Sequence, residues 1–258
     1  MLKNKKGIIF GIANDHSIAW GIAKKLSEQG AELAITYQND ILLKRVKPLA
    51  KKINSDLLVE CDFSKGESIK NCFKEIKDKF TNIDFVVHAA AYSDKNELNG
   101  KYLNTSKDNF INTLNISCFS FTEISKYASE IMNDGGSLLT LSFYGSNKVM
   151  PNYNVMGVAK AALETSVKYL SVDLGDKNIR VNAISAGPMR TLAGAAIANA
   201  REVYNYTKIN SALKRNVNLD EIGNTALFFI SDLSNAITGE IHYVDCGFNI
   251  IGMPKSKD

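Results

Sequence analysis

Residues 7–21 read Gly7-Ile8-Ile9-Phe10-Gly11-Ile12-Ala13-Asn14-Asp15-His16-Ser17-Ile18-Ala19-Trp20-Gly21. The apolar run through Ala13 has the length and flanks of a buried strand, and Asn14 and Asp15 break it. Ser17 then opens an amphipathic stretch to Gln29, which Gly30 closes at the C′ position of a helix. The next apolar positions, Leu33, Ile35 and Tyr37, alternate as a second strand does. One strand–turn–helix–strand unit is thus complete within the first 40 residues.

The same alternation runs outward along the chain. Asp40 to Lys52 reads as a helix interrupted at Pro48, and Leu57-Leu58-Val59 as a third strand. Ser64 is placed to cap a helix over Lys65 to Phe80. A fourth strand spans Ile83 to Ala90. A long helix follows from about Thr105 to Met132, with Ser106 as N-cap and Gly135-Gly136 as its end. Then come strand Ser137 to Phe143, helix Tyr153 to Leu174 and strand Arg180 to Ser185. An Ala-rich segment from Thr191 to Tyr206, a helix Leu219 to Ser231 and a strand Ile241 to Val244 complete the pattern. Strands alternating with helices of this length predict βαβ units: one doubly wound α/β domain over residues 1–258, with about seven parallel strands and helices on both faces. The polar tail, Pro254 to Asp258, is expected to fray.

Composition bounds what such a domain does. The chain has 258 residues, 45% hydrophobic and 22% charged, with 31 Lys+Arg against 27 Asp+Glu. That apolar content excludes a disordered chain, and the length allows roughly three quarters of the unfolded surface to be buried. A net charge of +4 is too small for a nucleic-acid or membrane-surface protein. No run approaches the 18 apolar residues of a membrane span. Cys61, Cys72, Cys118 and Cys246 form no CxxC, and His16, His88 and His242 stand singly. The reading is no metal site, reduced cysteines and a cytoplasmic protein.

Three places carry chemistry. The first βα turn must let backbone approach a pyrophosphate if the fold binds a dinucleotide. Gly11 suits that turn, Ala13 suits close approach, Ser17 can donate a hydroxyl, and Gly21 permits close helix–sheet packing. With a single turn glycine it is not a GxGxxG, and a plain βα turn is equally compatible with it. The end of the second strand, Tyr37-Gln38-Asn39-Asp40, holds no base, and Asp40 would repel a 2′-phosphate, which favours NADH over NADPH. Lys44, Arg45 and Lys47 read as a solvated helix face. Asp62 can accept from an adenine amine or cap a helix. Finally, Tyr153 and Lys160 are seven apart, about two helical turns and within about 20° of one face. A phenol and an ammonium there can donate to an oxygen gaining charge and grip ribose hydroxyls.

Tyr153-x-x-Met156-x-x-x-Lys160, with Gly11-Ile12-Ala13 and Ser17-Ile18-Ala19, closely resembles the bacterial NADH-dependent enoyl-[acyl-carrier-protein] reductases. These are divergent, Rossmann-type members of the short-chain dehydrogenase/reductase superfamily. The resemblance runs from about Lys5 to Met253 and includes Asp94 to Leu98, Arg180 to Pro188 and Gly239 to Asp245. It implies reduction of trans-2-enoyl thioesters by NADH in type II fatty acid elongation. Tyr153 would donate to the thioester carbonyl and Lys160 would hold the nicotinamide ribose. Gly11, Ala13, Ser17 and Ile18 would line the pyrophosphate and adenosine path. Gln38, Asp62 and Phe63 would meet the adenosine, and Ala89, Ala90 and Ala91 would follow the dinucleotide. Met189 and Thr191 would flank the nicotinamide. Tyr92, Phe143, Tyr144, Met156, Ala193 and Ile197 would surround the substrate, under a mobile helical lid at about 191–206.

Departures from the family pattern have consequences. Phe143 stands where many relatives carry a second Tyr, leaving Tyr153 as sole phenol or shifting work to Tyr144. Ala91 replaces a frequent glycine. Arg201 is the base left in the lid, with Ala198 and Glu202 where some relatives are basic, which bears on an acidic carrier protein as partner. A 3-oxoacyl (carbonyl) reductase of the same superfamily and a silent NAD-binding protein are the rival readings. Helix 153–174 is apolar on more than one face, as a helix at a subunit contact is, and the relatives are homotetramers.

Overall fold

The computed structural model describes residues 1–195 and 197–253, apart from the side chains of Asn133, Asp134, Ala193 and Ala195. The tail expected to fray, 254–258, lies outside the described residues. Seven strands, β1 (Lys6–Phe10), β2 (Glu32–Tyr37), β3 (Leu57–Glu60), β4 (Ile83–His88), β5 (Met132–Ser142), β6 (Ile179–Ala186) and β7 (Ile241–Val244), form one sheet. Their order is β3-β2-β1-β4-β5-β6-β7, and every neighbouring pair is parallel. The winding reverses between β1 and β4, so the crevice at their carboxyl ends is the place where such a sheet binds a ligand.

Two apolar layers cover the sheet. On one face lie α1 (Ile18–Glu28), α2 (Asp40–Lys52) and α9 (Leu219–Ile230), whose Trp20, Val46 and Phe229 meet Ile9, Ile35 and Val87. On the other lie α3 (Ser68–Phe80), α5 (Ser120–Ser129) and α6 (Asn154–Asp173), whose Phe73, Phe121 and Leu163 meet Ile8, Val86 and Val181. Alternate residues of one strand feed opposite layers, as Ile8 and Ile9 do. A third, smaller cluster at the carboxyl edge gathers Leu98, Tyr153, Val155, Met156 and Ala159 with Phe110, Leu114, Phe143, Met150 and Ile197.

Several elements differ from the sequence reading. Helix α2 runs through Pro48 without a break. Pro48 and Lys44 are both exposed, so the carbonyl freed by the missing N–H faces water while Val46, Leu49 and Ala50 anchor the helix. Ser64 does not cap α3: its hydroxyl donates to Asp62, and one further turn precedes Ser68. The long helix is α4 (Lys107–Leu114), a π-helical turn (Asn115–Phe119) and α5, which ends at Ser129. Ser106 is its N-cap, accepting from Asn109 N at 3.2 Å. Met132 to Gly136 belong to β5, because Met132 pairs with Ile83 and Gly136 with Ile179. Gly21 serves helix–helix rather than helix–sheet packing: a Cβ there would lie 2.9 Å from Leu219 Cβ of α9. The Ala-rich segment is two helices, α7 (Leu192–Ala195) and α8 (Ala200–Asn210).

Candidate active site

The βα turn after β1 is folded by Ser17. Its hydroxyl accepts from the amides of Ala13 and Asn14, both at 3.1 Å, and lies 3.3 Å from Asn14 Oδ1. Ser17 occupies the N-cap position of α1 without capping it by its side chain. The first-turn amides of α1 therefore point out of the helix end with its positive dipole, as an anion requires. Gly11 is obligatory here: its φ is +97°, and a Cβ would sit 2.2 Å from the Ala89 carbonyl. Ala89 in turn donates to Phe10 O at 3.2 Å, so Ala89, Ala90 and Ala91 leave β4 alongside this turn.

The ends of β2 and β3 meet beside it. Gln38 Nε2 donates to Asp62 Oδ1 at 3.2 Å, which also accepts from the Ser64 amide (3.0 Å) and hydroxyl (2.7 Å). Burial works to raise the Asp62 pKa, but the Ser64 bonds, then Gln38 and Lys65, outweigh it and hold the carboxyl below its ordinary range. Phe63 stacks on His88 with ring centres 5.7 Å apart and planes 16° apart. Lys44, Arg45 and Lys47 are all exposed on α2, the solvated face expected of them.

Tyr153 and Lys160 come from the start and second turn of α6. Both are buried, at 7% and 6% exposure. Lys160 Nζ donates to Leu141 O at 2.7 Å. Burial lowers its pKa to about 8, with Cys118 and Glu164 opposing. Burial pushes the Tyr153 phenol well above its ordinary value, helped by the charge of Glu164, so it stays a proton donor across the neutral range. Among the described residues its hydroxyl has no hydrogen-bond partner, so the donor is free for a substrate oxygen. Two asparagines in left-handed backbone flank it, Asn152 (φ 59°) and Asn154 (φ 39°). Asn152 Nδ2 donates to Ala198 O ahead of α8, and Asn154 Nδ2 to the carbonyls of Glu97, Leu98 and Gly100. The phenol is thus presented by a turn tied to both flanking loops.

A family model described as "Enoyl-(Acyl carrier protein) reductase" matches residues 11–249. The chain belongs to this family. Enoyl-[acyl-carrier-protein] reductase [NADH] 2 of Rhizobium meliloti (strain 1021) is 58% identical over 254 residues, 98% of this chain and 95% of the relative. The crystal structure of FabI from Candidatus Liberibacter asiaticus superposes with a TM-score of 0.97 at 56% identity, covering 98% of both chains. That of the enoyl reductase from Anaplasma phagocytophilum in complex with NAD gives 0.96 at 53% identity, covering 99% of this chain and 97% of the other.

Within this enoyl reductase fold the predicted substrate residues divide. Tyr153, Met156, Phe143 and Ile197 pack in one cluster, with Phe143 edge-on to Tyr153 at 5.0 Å. Tyr144 packs edge-on against Tyr243 (6.3 Å) and Phe248 (5.6 Å) instead. Tyr92 is half exposed, its backbone clasped by Ser117, whose hydroxyl accepts from Tyr92 N and donates to Tyr92 O, both at 2.9 Å. Met189 packs on the α1 side of the sheet, and Thr191 Oγ1 accepts from Gly194 N at 3.0 Å. The side chain of Ala193 lies outside the described residues.

Sequence reasoning missed the support of the enoyl reductase site. A Cβ on Gly145 would lie 2.4 Å from Tyr153 Cδ1, and one on Gly157 would lie 2.8 Å from Gly145 O. Leu98, Phe110 and Leu114 wall the Tyr153 cluster from distant stretches of chain, with Met150 from the turn just before it. His88 is buried behind Phe63 between Thr140 Oγ1 and Ser120 Oγ, both at 2.9 Å. Burial, then the charge of Lys160, lower its pKa to about 3. Only spatial proximity marks these groups; no spacing in the chain does.

Proposed function

We infer that the chain reduces the carbon–carbon double bond of trans-2-enoyl-acyl-carrier-protein thioesters with NADH, in fatty acid elongation. The observation that carries this is the buried Tyr153–Lys160 pair on α6 beside a dinucleotide-type βα turn. The names of relatives at 52–58% identity support substrate and cofactor. The donor set fits a dinucleotide. The Ala13–Ser17 turn and the α1 amides would take the pyrophosphate. Gln38, Asp62 and Phe63 would take the adenosine, the alanines after β4 the next stretch, and Lys160 the nicotinamide ribose. The absence of a base at the end of β2 favours NADH over NADPH.

Bound NADH supplies the hydride for the substrate β-carbon. Tyr153 donates its hydrogen bond to the thioester oxygen as negative charge builds there, and the ammonium of Lys160 stabilises the same charge in a site of low polarity. The α-carbon takes its proton from solvent or through a relay. Phe143, Met156 and Ile197 exclude water from the reacting bond, and the 191–206 segment serves as a lid over the acyl chain. Phe143 has no hydroxyl and Tyr144 faces elsewhere, so Tyr153 is the phenol that works. Tyr153→Phe lowers kcat about 10²–10³-fold with NADH affinity unchanged. An undiminished kcat removes Tyr153 from this role.

The acyl carrier protein is the partner, and the free cysteines are those of a cytoplasmic protein. No helix of the described residues is long and apolar enough to cross a membrane. The outer face of α6 leaves Tyr169 and Val172 exposed near its end, and Val158 partly exposed about three turns earlier. This supports a homotetramer built through that face.

A further inference from the structure

We propose that Glu164 is a positioning residue of the active site: its carboxylate clamps the turn that cradles Tyr153 and serves as counter-charge to Lys160. The proposal rests on the roles inferred for Tyr153 and Lys160. Glu164 lies one helical turn beyond Lys160 on α6, hence on the same face. Its Oε1 accepts from Ser142 Oγ and from Ser146 Oγ, each at 2.5 Å. Those serines bracket Phe143-Tyr144-Gly145. Phe143 meets the Tyr153 ring edge-on, and Gly145 lies so close to that ring that a Cβ would overlap it. A single oxygen thus draws both ends of the turn toward α6, and the middle of the turn fixes the phenol ring. Hydroxyl donors bound to a charged acceptor hold such geometry about twice as strongly as neutral pairs do.

The charge has a second consequence. Lys160 is buried against a neutral carbonyl, and burial alone favours its loss of a proton. The groups placed to act on it or on Glu164 come from four elements. Tyr153 and Glu164 belong to α6, Cys118 to the adjoining π-helical turn, His88 to β4 and Tyr243 to β7. Burial raises the thiol of Cys118 and the phenols of Tyr153 and Tyr243, and it keeps His88 neutral. Glu164 is the carboxylate of the group, and its charge opposes the effect of burial on Lys160.

Removing the charge and removing the clamp have different signatures. In Glu164→Gln the alkaline limb of NADH affinity, followed by nucleotide fluorescence, moves down by about one pH unit from near 8. The limb of kcat/KM on crotonyl thioester moves with it. Ser142→Ala/Ser146→Ala keeps the charge, leaves the limb in place and lowers kcat about tenfold through a loosened Tyr153. Glu164→Asp, charged but too short for both serines, behaves as the serine variant does. A Glu164→Gln limb that coincides with wild type overturns the counter-charge, and an unchanged kcat in the double serine variant overturns the clamp. If Glu164→Gln does not fold, Glu164→Asp and the double serine variant decide: a shifted limb in either overturns the assignment. A wild-type protein that binds NADH but turns over no enoyl thioester refutes the functional reading, while the NADH limb still reports on Glu164.

Discussion

Three residues act at the catalytic turn, Tyr153 and Lys160 through burial of a titratable group and Gly145 through the lack of a side chain. Tyr153 and Lys160 work because burial makes the phenol hard to deprotonate and the ammonium easier to deprotonate. Activity that needs a neutral phenol and a charged ammonium is then complete below pH 8 and falls as pH rises through about 8, where Lys160 loses its proton. A pH–rate profile with saturating substrate checks this; a flat profile to pH 10 contradicts it. Gly145 works because it has no side chain. Gly145→Ala puts a methyl 2.4 Å from Tyr153 Cδ1 and must move the ring. A displacement approaching 1 Å costs on the order of 10²-fold in rate. We expect kcat to fall by that order, and overpacking against the buried ring to lower the melting temperature by a few degrees as well.

The α1–α9 pair sets the position of the dinucleotide turn. Gly21 meets Leu219, and Gly223 meets Lys25 Cβ at 3.0 Å and Gly21 O at 3.1 Å, so the two helices cross almost backbone to backbone. A side chain in this crossing forces α1 away from α9 and swings its first turn. Gly21→Val is expected to destabilise by about 2 kcal/mol, roughly 4–8 °C in melting temperature, and to weaken NADH binding as well. Thermal unfolding and an NADH titration of the same variant test both halves. The π-helical turn between α4 and α5 makes a comparable adjustment on the other face. It offsets the helix enough for Ser117 to clasp the backbone of Tyr92 while Ser120 reaches His88.

Burial of His88 couples the whole fold to pH. Its folded pKa of about 3 lies below the unfolded value of about 6.5, so the unfolded chain binds the extra proton between those limits. Stability therefore falls as pH drops from 6.5 toward 3, by roughly 1 kcal/mol per unit from this group. His88→Gln flattens that slope in urea unfolding at pH 4–6.5; an unaltered slope excludes the assignment. At the level of assembly, light scattering is expected to give a tetramer, and Tyr169→Asp/Val172→Asp a smaller species. A wild-type monomer refutes the proposed contact.

The chain alone determined the parallel α/β architecture, because apolar periodicity and turn residues such as Gly11 and Gly30 are local properties of a strand or a helix end. It also placed Tyr153 and Lys160 on one helix face, since a spacing of seven is intrinsic to helical geometry. Tertiary structure decided what each of them touches. Pro48 is tolerated because its freed carbonyl faces water. Gly21 packs on a helix 198 residues away rather than on the sheet. Ser142, Ser146, Gly145 and Glu164 converge on Tyr153 only after β5 and α6 dock. The physical reason is that a strand or a helix is specified by residues a few positions apart. The burial and partners that set a pKa or fix a ring are supplied by whichever distant segment completes the packing.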